Sequence, residues 1–294
     1  LERAMRIAAQ ASSAATATTT ERRVGRRVAS AGVGAAAALL LPRSRARAVS
    51  FYEQYPYAQP TDFLPFLYDF ARKDDPTACI GALDEFGEHY PMYKLGREKA
   101  EILIGLARDA YASSEERSGG RAFTALELGT FFGYSALNLL RELAPTQRGI
   151  RLTCVEANPQ HAEVARAVLA HAGFGEPEVQ VVTGLSSDII PGIARSSRCA
   201  EADLVFLDHA KSCYLPDIEA LESLGVVRSG TVVVADNVLA PNRLADFLDH
   251  LEPARGAYAN TRLFEAAFEY EQVWRIDEGA KTDKRDALSF AVKM

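Results

Sequence analysis

The sequence predicts an α/β fold, a mostly parallel β-sheet with helices on both faces. Three observations carry this. From Arg121 onward, short apolar runs alternate with segments of helical spacing, the pattern of repeated strand–helix units. Two of the runs, Leu204–Leu207 and Thr231–Ala235, are continuous rather than alternating, as strands buried on both faces must be. Both then break into polar side chains, Asp208-His209-Ala210-Lys211 and Asp236-Asn237. The ends of such strands are where open α/β sheets hold their ligands.

Taken in order, the body begins with apolar residues at helical spacing: Phe63, Phe66, Leu67, Phe70, then Ile80, Leu83 and Phe86. They predict one or two helices between Asp62 and Tyr90, with Asp74-Asp75-Pro76 as the turn. Pro65 fits only in a first helical turn, where its missing N–H would be unpaired anyway. HYPMYKLG (89–96) reads as a loop, Arg97–Ala112 as a third helix and SSEERSGG (113–120) as a polar loop. Ala122–Leu128 is a strand that runs into Gly129 and Gly133, then a helix to Leu143. Arg151–Ala157 is the next strand. Asn158 is placed as the N-cap of a helix to Ala172, with Pro159 at its first position. Val179–Thr183 is a strand, followed by a short helix around Ser187–Ala194. Then come strand 204–208, helix 216–224, strand 231–235 and helix 242–251. Arg262–Ala267 and Ala287–Val292 close the pattern as an antiparallel pair.

Charge divides the chain. Residues 1–50 hold nine arginines, no lysine and two acids, whereas the remaining residues hold 24 basic and 37 acidic ones. An acidic body argues against nucleic acid as the main partner, since phosphate binding needs a basic face. It suits cations or small polar molecules. The four cysteines (79, 154, 199, 213) form no CxxC pair, so neither a disulfide framework nor a zinc site is indicated.

The strand ends carry the chemistry. Glycine at 129 lets a ligand approach the backbone, and the helix that follows favours a negative group. The turn lacks the GxGxxG pattern. Glu156 ends the second strand, 29 residues after Glu127, where an acid can accept hydrogen bonds from ribose hydroxyls. The glycine-bearing turn and this acid together indicate a ribose-bearing cofactor. Asp208, Asp236 and Asn237 meet at the edge of adjacent strands as hard oxygen ligands, a set for Mg²⁺ rather than zinc. Lys211 is either a general base or a surface lysine on a first helical turn.

Beyond these residues, LELGTFFGYSA, VEANP, SSDIIP, VFLDHAKSCYLPD, GTVVVADNVLAP and FEYEQV follow one another in an order and spacing that resembles the catechol O-methyltransferase family. The resemblance covers roughly residues 80–275. It implies a Rossmann-like class I methyltransferase with a seven-stranded, mostly parallel sheet and an antiparallel last strand. S-adenosylmethionine would be the methyl donor and Mg²⁺ the metal. By position, Asp208, Asp236 and Asn237 would bind Mg²⁺ and Lys211 would be the catalytic base. Met92, Glu127, Gly129, Tyr134, Ser135, Glu156, Ala157, Ser186, Asp208 and His209 would form the donor site, with Glu156 on the ribose and His209 against the adenine. Tyr90, Lys211, Asn237, Pro241 and Glu269 would face a phenolic substrate, with Glu269 on its second hydroxyl. Three positions depart from the family pattern. Ala210 and Tyr90 stand where the family carries Trp, and Ser187 stands where it carries Gln. The substrate site should therefore be wider, or be closed by Phe131, Tyr90 or Trp274.

The expected organisation is a leader, residues 1–50, followed by one methyltransferase domain, 51–294. That domain divides into a helical part, 51–120, and an α/β core, 121–294. The Arg-rich, Ser-rich, acid-poor leader reads as low-complexity chain or as a targeting segment (1–48) for an organelle; otherwise the protein is cytoplasmic. Its uncharged stretch 28–41 is short for a bilayer span, and membrane contact is possible only through it. Two alternatives to a catechol substrate stay open: caffeoyl-type phenolics, and a membrane-associated binding or trafficking role without catalysis. The oligomeric state is open.

Overall fold

The computed structural model describes residues 60–90, 92–239, 243–267 and 285–294. The leader, Pro241, Glu269 and Trp274 lie outside the described residues. The elements, in order, are α1 Pro60–Phe70, α2 Pro76–His89, α3 Arg97–Ser118, β1 Phe123–Leu128, α4 Tyr134–Leu143, β2 Ile150–Glu156, α5 Pro159–His171, β3 Val179–Thr183, α6 Ser186–Ile193, β4 Leu204–Leu207, α7 Tyr214–Ser223, β5 Val232–Ala235, α8 Ala245–His250, β6 Tyr258–Ala267 and β7 Arg285–Lys293. A 3₁₀ turn, Lys211–Cys213, leads into α7, and a second, Pro253–Arg255, precedes β6.

The seven strands form one sheet in the order β3-β2-β1-β4-β5-β7-β6. Pairings from β3 through β5 are parallel, and β7 runs antiparallel to both β5 and β6. This is the seven-stranded, mostly parallel sheet with an antiparallel last strand that the family resemblance implies. The strand order reverses between β1 and β4, so the crevice at their carboxyl ends is the natural ligand site. Side chains alternate along each strand and sort into two cores. Ala125, Phe206 and Val234 pack with α1 to α5, while Leu126, Val205 and Val233 pack with α6, α7 and α8.

The helical part is pinned to the ligand edge by aromatic rings. Phe63 of α1 packs edge-on against Phe86 of α2 at 5.1 Å and stacks on Phe132 at 5.5 Å. Phe132 belongs to the turn after β1, so this packing fixes the turn from behind.

Two local expectations are corrected. Pro65 lies inside α1, beyond its first turn. Only the bond back to Thr61 is lost, near the helix start, and Pro65 is exposed, so water can serve the freed carbonyl. The expected loop at 113–120 is helical as far as Ser118. Ser114 and Ser118 donate back to the carbonyls of Tyr111 and Glu115, and Arg117 donates to the carbonyl of Ser113. The helix stops at Gly119, whose φ of 57° provides the left-handed cap. The Asn158 cap is as expected: its Oδ1 accepts from Gln160 N at 2.9 Å and His161 N at 3.4 Å.

Among the described residues, no helix is long and apolar enough to cross a membrane.

Candidate active site

The turn after β1 is built around Glu156 at the end of β2. Glu156 Oε2 accepts from Phe131 N and Oε1 accepts from Asn158 N, each at 2.9 Å. Phe131 holds a φ of 49°, unusual for a residue with a side chain, and the bond to Glu156 secures it there. Its ring stacks on Phe132 at 4.1 Å and meets His161 edge-on at 4.7 Å. His161 Nδ1 is 3.8 Å from Glu156 Oε1. The carboxylate keeps lone pairs for further donors, such as hydroxyls of a ribose.

Glu127, one residue before the end of β1, is fully buried. Burial pushes its carboxyl up from the ordinary value, and hydrogen bonding opposes this, first from Ser135. Ser135 Oγ donates to Oε1, while Oε2 has no hydrogen-bond partner. A buried, half-satisfied acid facing a ligand edge is a place for a charged or N–H donor. Met92 and Ser135 are buried, Ser186 opens α6 half-buried, and Ala157 is exposed. Tyr134 opens the helix that follows the turn; Lys94 Nζ lies 5.2 Å from its ring centroid, and Asp84 is its hydrogen-bonding neighbour.

At β4 and β5 the polar residues form a second network. Asp236 N donates to Leu207 O at 2.9 Å, which sets the two strand ends side by side. Tyr214 is fully buried, and its hydroxyl reaches Leu207 O at 2.9 Å and Asp236 O at 3.0 Å. Lys211 Nζ donates to Tyr214 Oη at 2.7 Å and to Asp208 Oδ1 at 3.1 Å. Lys211 is therefore held within the site rather than free on a surface turn. Burial pushes the Asp208 carboxyl up; Lys211 pulls it back and the neighbouring Asp236 charge adds to the rise. His209 stacks on Tyr214 at 5.1 Å, with Nε2 2.7 Å from Asp217 Oδ2 and Nδ1 buried without a partner.

Asn237 adopts a φ of 53°, and its N–H closes on Asp236 Oδ1 at 2.7 Å. Two residues absent from the sequence expectation join here. Lys99 of α3, fully buried, donates to Asp236 Oδ1 at 2.6 Å and Asp286 Oδ2 at 2.7 Å. Asn237 Nδ2 also donates to Asp286 Oδ2, at 2.7 Å. The signal for Lys99 was present but quiet: it lies in phase with Leu103, Leu106 and Ala110 on the apolar stripe of α3.

The donor set fits a hard divalent cation. Asp236 Oδ2 is buried and has no partner, and Asn237 has committed its amide nitrogen, leaving the oxygen as the ligating end. Among the described residues no group of three or more His, Cys, Asp or Glu is gathered to hold a metal; two carboxylates and one amide form the candidate set. Tyr90, expected on the substrate side, stacks on Phe86 at 4.6 Å and is partly exposed.

Known proteins share this chain's pattern. A sequence profile of the O-methyltransferase family matches residues 120–259. Catechol O-methyltransferase B of Danio rerio is 37% identical over 198 residues, 67% of this chain and 69% of the relative. Catechol O-methyltransferase of Sus scrofa is 38% identical over 179 residues, 61% of this chain and 87% of the relative. Transmembrane O-methyltransferase of Homo sapiens is 35% identical, with 60% of this chain matching 56% of that protein. The O-methyltransferase from Bacillus cereus in complex with SAH superposes with a TM-score of 0.56 at 22% identity, covering 74% of this chain and 91% of that one. At that identity the likeness speaks for the fold.

Proposed function

The chain belongs to the catechol O-methyltransferase family, S-adenosylmethionine-dependent O-methyltransferases, and from that premise we propose that it methylates one hydroxyl of a catechol-type diphenol with the help of Mg²⁺. The observation that carries the metal half of this reading is the buried, unpartnered Oδ2 of Asp236 at the edge it shares with Asp208 and Asn237. Asp208, Asp236 and Asn237 would hold the cation. Bound there, it would lower the pKa of the hydroxyl that attacks.

The remaining work falls to the chain's own side chains. Glu156 would accept from the donor's ribose, and Glu127, with Ser135, would face its polar end. His209, fixed by Asp217 and Tyr214, would pack against the adenine. Lys211 Nζ, directed by Tyr214 and Asp208, would take the proton of the reacting hydroxyl. The oxygen then attacks the methyl carbon as its bond to sulfur breaks. Most of the acceleration would come from holding oxygen, carbon and sulfur in line.

Ala210 and Tyr90 favour a substituted diphenol over the smallest one. Alanine offers little cover at 210, and the Tyr90 ring is already stacked on Phe86. The test is transfer of a labelled methyl group to a panel of diphenols and caffeoyl-type phenolics, with and without Mg²⁺. Transfer should require Mg²⁺ and two adjacent hydroxyls. Donor binding without transfer to any diphenol would overturn the reading.

A further inference from the structure

We infer that Lys99 and Asp286 are positioning residues that fix which oxygens of Asp236 and Asn237 a cation can use; the inference rests on the cation site proposed above. Neither residue reaches that site by sequence proximity. Lys99 enters from the first turn of α3, and Asp286 from the start of β7. β7 is antiparallel to β5, so its first residues lie beside the carboxyl end of β5, with Ala235 opposite Ser289. Asp286 thereby comes level with the residues just past Asp236.

The arrangement assigns each oxygen. Asp236 Oδ1 is occupied twice, by Lys99 Nζ at 2.6 Å and by Asn237 N at 2.7 Å. Oδ2 has no partner. The carboxylate is thus held as a one-oxygen ligand with its free oxygen fixed in direction. Asn237 has two chemically different ends, and rotation by half a turn exchanges oxygen for nitrogen. Asp286 decides between them, because Oδ2 accepts from Asn237 Nδ2 at 2.7 Å and has only acceptor character. Asp286 is itself anchored: Oδ1 accepts from Leu239 N at 3.1 Å and Oδ2 from Lys99 Nζ at 2.7 Å.

The charges agree with this role. Lys99, Asp236 and Asp286 are all fully buried. An unpaired buried ammonium or carboxylate is strongly unfavourable, and Lys99, in contact with both carboxylates, gives each buried group a partner. A carboxylate fixed by outer hydrogen bonds also enters a cation site already ordered, and loss of such outer partners typically weakens metal binding about 10- to 100-fold.

Asp286→Asn separates this role from simple stability. Asparagine has nearly the same volume but one acceptor oxygen and one amide donor. Its one oxygen can face either Lys99 and Asn237 or Leu239 N, and in either orientation its NH₂ opposes an N–H donor, so the anchor that orients the Asn237 amide is lost or displaced. The experiment measures Mn²⁺ binding by electron paramagnetic resonance and S-adenosylmethionine binding by calorimetry, on the full chain. The proteins are wild type, Asp286→Asn, Lys99→Met and Asp236→Ala. Mn²⁺ should bind about 10- to 100-fold more weakly to the first two variants, with donor affinity within twofold of wild type. A folded Asp286→Asn protein that binds Mn²⁺ as wild type does overturns the inference, whether or not Lys99→Met folds. Equal loss of donor and Mn²⁺ affinity overturns it too, since that is general loosening. Wild type that binds no Mn²⁺, or Asp236→Ala that binds it fully, instead overturns the cation site on which the inference stands.

Discussion

A Cβ placed on Gly129 would lie 2.4 Å from the carbonyl oxygen of Asp208 and 2.8 Å from the amide nitrogen of His209. The turn that serves the donor side and the strand end that serves the cation side are therefore in backbone contact. Asp208 N also donates to Leu128 O at 2.8 Å, closing the same junction. The glycine is needed less for an approaching ligand than for an approaching strand.

Gly129→Ala should consequently be destabilising by about 3 kcal/mol, combining overpacking against backbone with a left-handed φ. Its φ is 93°. Urea unfolding gives the check: the midpoint should fall with an unchanged slope. A midpoint equal to wild type would show that the β4 end can move aside at no cost.

Lys211→Ala should lower turnover at saturating substrates by about 100-fold or more, the range for loss of a positioned base. Donor affinity should stay within twofold, because Lys211 bonds only to Asp208 and Tyr214 in the network described. Single-turnover kinetics with calorimetry separates the two quantities. A collapse of donor affinity with turnover retained would remove Lys211 from the proton transfer.

Glu156→Ala should damage two properties together. Phe131 N and Asn158 N lose their acceptor, and unmade bonds to a charged group cost about 1.5–3 kcal/mol each when nothing replaces them. Donor binding should weaken as well. Thermal unfolding with and without S-adenosylmethionine tests this: the melting temperature should fall, and the donor should no longer raise it. A normal donor-induced rise would place the ribose elsewhere.

Glu222 makes a prediction about pH. Burial raises its carboxyl, but bonds from Tyr258, His250 and Lys293 outweigh this, and the net shift is downward from the ordinary 4.5. Tyr258 Oη donates at 2.6 Å and Lys293 Nζ at 3.1 Å. A folded-state value below the unfolded one means stability that is complete above about 4.5 and disappears as pH falls through the folded value. Glu222→Gln should therefore be less stable than wild type at pH 7, by about 1–3 kcal/mol, with the gap closing below pH 4.5. A gap independent of pH would mean that packing, not charge, is what the substitution disturbs.

Much of this protein could be read from its sequence. Strands β4 and β5 are continuous apolar runs because both faces are covered, and the strand ends are marked by Gly129, Glu156, Asp208 and Asp236. The Asn158-Pro159 start of α5 was equally plain, since capping chemistry is local. Helix ends set by weaker signals were missed: α3 outlasts its apolar stripe because Ser114, Arg117 and Ser118 bond to the turn behind them.

The sequence by itself determined the fold class and the candidate cation set, because burial periodicity and strand-end chemistry are written in neighbouring residues. What only the tertiary structure decided is the company those residues keep. Lys99 stands 137 positions from Asp236 and Asp286 stands 49 from Asn237. Lys99 in isolation is one more charged residue in a helix, and Asp286 one more acid before a strand. The antiparallel return of β7 and the docking of α3 bring them into contact. Once they are buried together, an ion pair that would count for little at a surface becomes an arrangement the site cannot lose one member of.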